Sequence, residues 1–294
     1  MNYSYDIDRL THYLGELINR HASEDARTWI KKQQNRWDES QKPMHFNITF
    51  TAIPRFVDKT VIQLDDSGAG TLKNIRNGFS IKGWPLDRIV RSWWLLQYPS
   101  ADEDQYVSHI ENLFKTAEMN EQVSLYSSLP LYAYPERFRL RAAEGIRTNM
   151  GNVFEAVALD NPYPAEYLDE PAWNQMVLKA FFMDKDVNHI IGLDERANAE
   201  LAHILSDYAH ERWAAGRAVN PLLWRPVGKY IDEDIYPDIQ QLVTSSNDIE
   251  KRAGFLACSE SNYKPAQTLL EQHPDIKQQI SEGKLTWSQI TLQN

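Results

Sequence analysis

The chain has 294 residues, with 31 Lys and Arg against 41 Asp and Glu, for a formal net charge of −10. That balance leaves no basic excess for a phosphate backbone, so nucleic acid is not an expected partner. A single cysteine, Cys258, rules out an intramolecular disulfide and any cysteine-rich metal knuckle, and no apolar run approaches the ~20 residues of a membrane span.

The opening MNYSYDIDRLTHYL is polar and acidic and lacks the apolar stretch of a secretory signal, so a soluble, cytoplasmic protein is expected. Leu10, Tyr13, Leu14, Leu17 and Ile18 follow helical spacing. Phe46, Ile48 and Phe50 alternate as a strand would, yet Phe46, Phe50, Ile53 and Val57 fit a helix ended or kinked near Pro54, and helix is the expectation. Residues 63–79 read as loop and turn around a short helix at most. Tyr106, Ile110, Leu113, Phe114 and Ala117 are again helical, as are Leu201, Ile204, Leu205 and Tyr208. Proline and glycine divide the remainder into helix pairs, which suggests an all-α protein of antiparallel pairs in a HEAT-like α-solenoid. Tyr236–Thr244, a turn with Asn247 as N-cap, and Ile249–Ser259 form the best hairpin candidate. Cys258, in RAGFLACSES, reads as a small apolar core residue.

Amides and cations recur between Pro135 and Lys229 on helices that otherwise look buried, and such groups need hydrogen-bond partners or a ligand. The runs IPRFVDK, WPLDRIVRSWWLL, PLYAYPERFRLRAAEGIRTNMGNVFEAVALDNPYPAEYLDEPAWNQMVLKAFF and GLDERANAELAHILSDYAHERWAAGRAVNPLLWRPVG resemble the EboA family over most of the chain. The resemblance implies an all-helical protein encoded beside other ebo-cluster products. These include proteins similar to a UbiA-type membrane prenyltransferase, a sugar-phosphate isomerase, a dehydroquinate synthase and a TIM-barrel hydrolase, in a cluster associated with making or exporting secondary metabolites. It carries over context and no catalytic roles. Residues 1–128 then read as an N-terminal helical region and 129–294 as the EboA-like core with HEAT-like C-terminal hairpins, together one continuous domain.

On a helical wheel, the helix around Trp173–Met183 is apolar nearly all round, interrupted by Asn174, Gln175 and Lys179. Either Lys179 snorkels to water, or it and the amides line a pocket for an anionic or carbonyl-bearing ligand. On the helix from about Asn149 to Asp160, Asn149 reads as a cap, whereas Asn152 and Glu155 either satisfy backbone or face a site. Asn161-Pro162-Tyr163-Pro164 reads as a rigid turn.

In Asn198–Arg217, Arg212 falls on the apolar face and needs an anionic or carbonyl partner, with Glu155, Glu144 and Glu166 as candidate acids. His203, Asp207 and His210 share the other face at a spacing a metal could use, a weak signal that a solvated face also gives. Arg137, Arg141 and Arg147 fit a positive rim, Arg196 a loop anchor, and Trp213, Trp224 and Arg225 a stacking surface. No phosphate loop, nucleophile elbow or zincin motif is present, and no cofactor is expected. The expectation is an accessory protein binding a small metabolite or a partner protein in a central groove bearing Asn152, Lys179 and Arg212. An enzyme using Lys179 or His210 as acid/base, and a pure scaffold, remain the alternatives.

Overall fold

The computed structural model describes residues 3–290, and the chain divides into two compact units, Met1–Leu168 and Asp169–Asn294. The expected division after residue 128 falls inside the first unit, just past a helix that ends at Ser127. Among the described residues the regular structure is helical, with one isolated bridge between Val61 and Pro85 in place of any sheet.

The N-terminal unit contains α1 (Ile7–His21), α2 (Glu24–Ser40), α3 (Pro43–Phe56), α4 (Asp66–Ile75), α5 (Leu86–Leu95), α6 (Glu103–Thr116), α7 (Met119–Ser127), α8 (Arg139–Arg147), α9 (Gly151–Ala158) and the short α10 (Tyr163–Tyr167). α1 buries Leu10, Leu14, Leu17 and Ile18, and α6 buries Tyr106, Ile110, Leu113 and Phe114, as their spacing predicts. Asp65 begins α4 by accepting from the Gly68 amide, and Leu72 and Ile75 anchor it, so a ten-residue helix forms where loop and turn around a short helix at most is expected. Asn149 is not a cap. The Thr148 hydroxyl accepts from the Met150 amide, the backbone stays extended at Met150, and the helix begins one residue later with Asn149 exposed. Asn161 closes the same helix from the other end, donating to the Ala156 and Tyr126 carbonyls and accepting from the Tyr163 amide.

α5 lies at the centre of this unit, against α1, α3 and α7, and every residue of it except Arg88 is buried. The helical reading of residues 46–57 holds, and Pro54 sits inside α3. Proline has no amide hydrogen, so the Phe50 carbonyl, four residues earlier, loses its helical donor. Arg91 replaces it, donating from Nε to that carbonyl at 3.2 Å with its guanidinium over the Phe50 ring. Beside it, Trp94 donates to the Phe46 carbonyl at 3.1 Å. The remaining Arg91 charge faces Glu121, with Nη2 3.7 Å from Oε1, and both side chains are buried. The other Glu121 oxygen accepts from the Glu118 amide and so caps α7.

The C-terminal unit contains α11 (Glu170–Phe182), α12 (Ala199–Ala214), α13 (Tyr236–Val243), α14 (Asp248–Glu260), α15 (Lys264–Glu271) and α16 (Pro274–Ser281). α13 and α14 form the expected hairpin, with Asn247 capping α14 through the Ile249 amide. Cys258 is buried on α14, where burial pushes its thiol up to about 12.

Two outcomes follow from the buried polar groups of the N-terminal unit. Arg91→Met removes one partner of a buried pair and is expected to cost about 3–5 kcal/mol in urea unfolding. Adding Pro54→Ala to that variant returns a donor to Phe50 and should recover about 1 kcal/mol, more than the same change gives the wild type. His109 is 6% exposed and stacked on Tyr98 at 3.8 Å, its Nε2 has no partner, and burial lowers its pKa from the ordinary 6.5 to about 4. Between those values the unfolded chain takes up a proton that the folded one refuses, so this contribution is complete above pH ~6.5 and lost as pH falls toward ~4. The loss amounts to about 3 kcal/mol at the acid end, and unfolding followed from pH 7 downward should show a shallower slope in His109→Phe.

Candidate functional site

α11 and α12 pack against each other within the C-terminal unit, and a cleft of ≈ 510 Å³ opens along their pairing. Leu178, Phe182, Tyr208 and Ala215 give it apolar walls, and Gln175, Lys179, Glu211, Arg212 and Arg217 give it polar ones. The α11 side chains come from one helical stripe: Gln175, Leu178, Lys179 and Phe182 are three or four residues apart. Asp169 starts that stripe by accepting from the Ala172 amide, and Trp173, Met176, Val177 and Ala180 hold the opposite side in the core. Phe182 is 68% exposed, an apolar ring at the mouth of a cationic cleft.

Arg212 is half-buried, and its Nε donates to the Ala218 carbonyl at 2.8 Å while its guanidinium lies 5.9 Å from the Tyr208 ring centre. Neither Glu144 nor Glu166 serves it: Glu144 holds Arg141, and Glu166 grips Arg76 through two bonds. The terminal guanidinium nitrogens of Arg212 make no ion pair among the described residues, which leaves donors at the cleft. Burial lowers the pKa of Lys179, as expected for an ammonium held partly out of water.

The other sequence candidates are distributed differently. Asn174 is buried and exchanges two amide hydrogen bonds with Asn198, the N-cap of α12, so its polar capacity is used in joining the two helices. Arg196 closes the turn at Gly192, whose φ of +84° suits glycine, and lays its guanidinium 4.7 Å from the Trp173 ring centre. Arg225 forks onto both oxygens of Asp194 and also reaches Asn188. Trp213 stacks on Trp224 at 5.9 Å, but Trp224 is fully buried, so the pair is largely core rather than an open stacking surface. Asn152 and Glu155 line a different cleft, in the N-terminal unit.

His203 and His210 do not converge. Each ring meets its own acid, His203 with Asp232 at 2.9 Å and His210 with Asp238 at 2.7 Å, and Asp207 is exposed. No cluster of three or more metal-ligating side chains occurs among the described residues. Asp238 is buried and also accepts from Ser206, which fixes the His210 ring at the surface. Two members of the expected positive rim are neutralised, Arg137 by Glu103 and Asp104 and Arg141 by Glu111 and Glu144, whereas Arg147 is exposed and makes no ion pair among the described residues.

Phe182, Glu211 and Arg217 are cleft residues that sequence reasoning did not single out. The i, i+3, i+4, i+7 stripe from Gln175 to Phe182 is the signal that would have found the first of them. The geometry separates two kinds of amide. Asn174→Ala should cost about 1–3 kcal/mol because it removes two hydrogen bonds between the buried Asn174 and the half-buried Asn198, whereas exposed Gln175→Ala should stay within about 0.5 kcal/mol in the same melt.

No described helix is long and apolar enough to cross a membrane. No curated protein and no solved structure matches the chain. The family described as "Metabolite traffic protein EboA" matches residues 10–228, a span that includes the whole α11–α12 cleft. The chain belongs to the EboA family.

Proposed function

We propose that the protein is an accessory factor of metabolite traffic that holds a small amphipathic anion in the cleft between α11 and α12. One observation carries this reading: an apolar trough of Leu178, Phe182, Tyr208 and Ala215 is edged by the cations of Lys179, Arg212 and Arg217. A ring or alkyl chain leaves water along the trough, while its carboxylate, sulfonate or phosphate meets a guanidinium that has terminal donors to spare. The volume is that of a drug-sized ligand site. The family description, metabolite traffic, supports a carrier or presenter over a catalyst. Prenylated, aromatic or phosphorylated pathway intermediates are the ligand classes that fit.

The reading extends to context. The protein would work in the cytoplasm beside other ebo-cluster products, with a UbiA-like membrane prenyltransferase as one candidate recipient. The α13–α14 hairpin and its successors α15 and α16 support a HEAT-like arrangement of the C-terminal unit, a form suited to docking such partners.

Anilinonaphthalene sulfonate, an aromatic anion, probes the cleft directly. Fluorescence titration should give saturable one-site binding, at least about tenfold weaker in Arg212→Gln and in Phe182→Ala, a loss of ~1.4 kcal/mol in each. Neutral phenylnaphthylamine should bind the wild type and Arg212→Gln alike. Equal affinity for the sulfonate in all three proteins would refute the assignment.

A further inference from the structure

Arg88 is the one residue of α5 that is not buried, and it opens onto the second cleft, a depression of ≈ 420 Å³ within the N-terminal unit. Its guanidinium stands 5.6 Å from the Trp84 ring centre and makes no hydrogen bond or ion pair with any described residue. An arginine fixed on an aromatic face keeps its five donors aimed in one plane, and here none of them is used. Burial lowers its pKa against the opposing pull of Asp87, so the charge is partly desolvated without a bonded counter-ion.

The rest of the lining adds donors. Lys82 contributes an exposed ammonium, and Asn120 and Asn152 contribute amides. Ser127 is 5% exposed and lines the cleft, and its hydroxyl bonds to no described residue. A largely buried serine with no protein partner keeps its donor and acceptor available to an occupant of the cleft. Two acids, Glu155 and Asp160, also line the depression, but each already holds an interaction within the protein. The Arg88 guanidinium and the Lys82 ammonium are the lining charges that make no ion pair among the described residues.

We propose that this cleft is a second binding site, distinct in chemistry from the α11–α12 trough, and that it takes a phosphate monoester of a compact, hydroxyl-bearing metabolite. A tetrahedral phosphate presents enough acceptor positions for the guanidinium fork, the Lys82 ammonium and the Ser127 hydroxyl together. The Asn120 and Asn152 amides suit the hydroxyls of the carrier. The polar walls disfavour a prenyl or extended aromatic body, so the two clefts select different molecules.

Calorimetric titration at fixed ionic strength tests the site with three probes: inorganic phosphate, glycerol phosphate and glycerol. The wild type should bind glycerol phosphate saturably and more tightly than inorganic phosphate, with no heat from glycerol. Arg88→Gln should weaken glycerol phosphate at least about tenfold and Lys82→Gln about threefold, while Lys115→Gln, which removes an equal charge from an exposed position on α6, should leave it unchanged. Lys82 is exposed, so its variant decides the matter if Arg88→Gln fails to fold. Absence of glycerol phosphate binding in the wild type overturns the proposal. So does unaltered affinity in the folded Arg88 and Lys82 variants, since the anion would then sit elsewhere. The α11–α12 reading uses another probe and other variants and stands or falls separately.

Discussion

A missing amide hydrogen organises the N-terminal unit. Pro54 deprives the Phe50 carbonyl of its helical partner, and an unsatisfied buried carbonyl costs ~1–3 kcal/mol. The Arg91 side chain meets that need from the neighbouring helix. A buried guanidinium then requires an anion, which Glu121 supplies from α7 while capping its own helix. Three helices are thus tied by a chain of obligations, each created by the solution to the one before. α5 is buried almost all round because it stands in the middle of that chain, and Arg88, its single outward residue, is what remains to face a cleft.

The two clefts differ in the chemistry of their walls. The α11–α12 trough combines apolar walls with cations along its edge, a design that rewards a greasy body with a charged head. The α5 cleft in the other unit is the more polar, with amides, a hydroxyl, two cations and two acids beside Trp84, Val123 and Leu159. Some arginines elsewhere are spent on neighbouring acids, Arg137 on Glu103 and Asp104, Arg141 on Glu111 and Glu144. Arg88 and Arg212, one in each unit, line a cleft and make no ion pair among the described residues.

Elements governed by short-range periodicity were legible in the sequence. The faces of α1 and α6, the helical state of residues 46–57, the Asn247 cap and the burial of Cys258 all follow from spacing and local chemistry, whereas α12 buries Leu201, Ala202, Leu205, Ser206 and Ala209 and leaves Ile204 and Tyr208 only half-buried. The α4 helix was harder, since Gly68, Gly70 and the acids argue for a turn, and only the Asp65 cap and the contacts of Leu72 and Ile75 override them. The stripe joining Gln175 to Lys179 was visible on the helical wheel, and the structure sets both in one cleft wall with Arg212. Partner choice was not legible. Which acid meets Arg141, that Asn174 pairs with Asn198 twenty-four residues on, and that His203 and His210 each face a separate aspartate are long-range facts that no local pattern encodes. The single groove expected for Asn152, Lys179 and Arg212 rested on such long-range placement.

The lone cysteine makes the C-terminal unit its own timekeeper. A thiol forced up to about 12 by its apolar surroundings holds almost no thiolate near neutrality, and alkylating reagents attack only the thiolate. Modification must therefore wait until α14 comes away from its neighbours. The pace at which Cys258 is consumed by iodoacetamide measures how often that half of the molecule breathes, with no engineered label required.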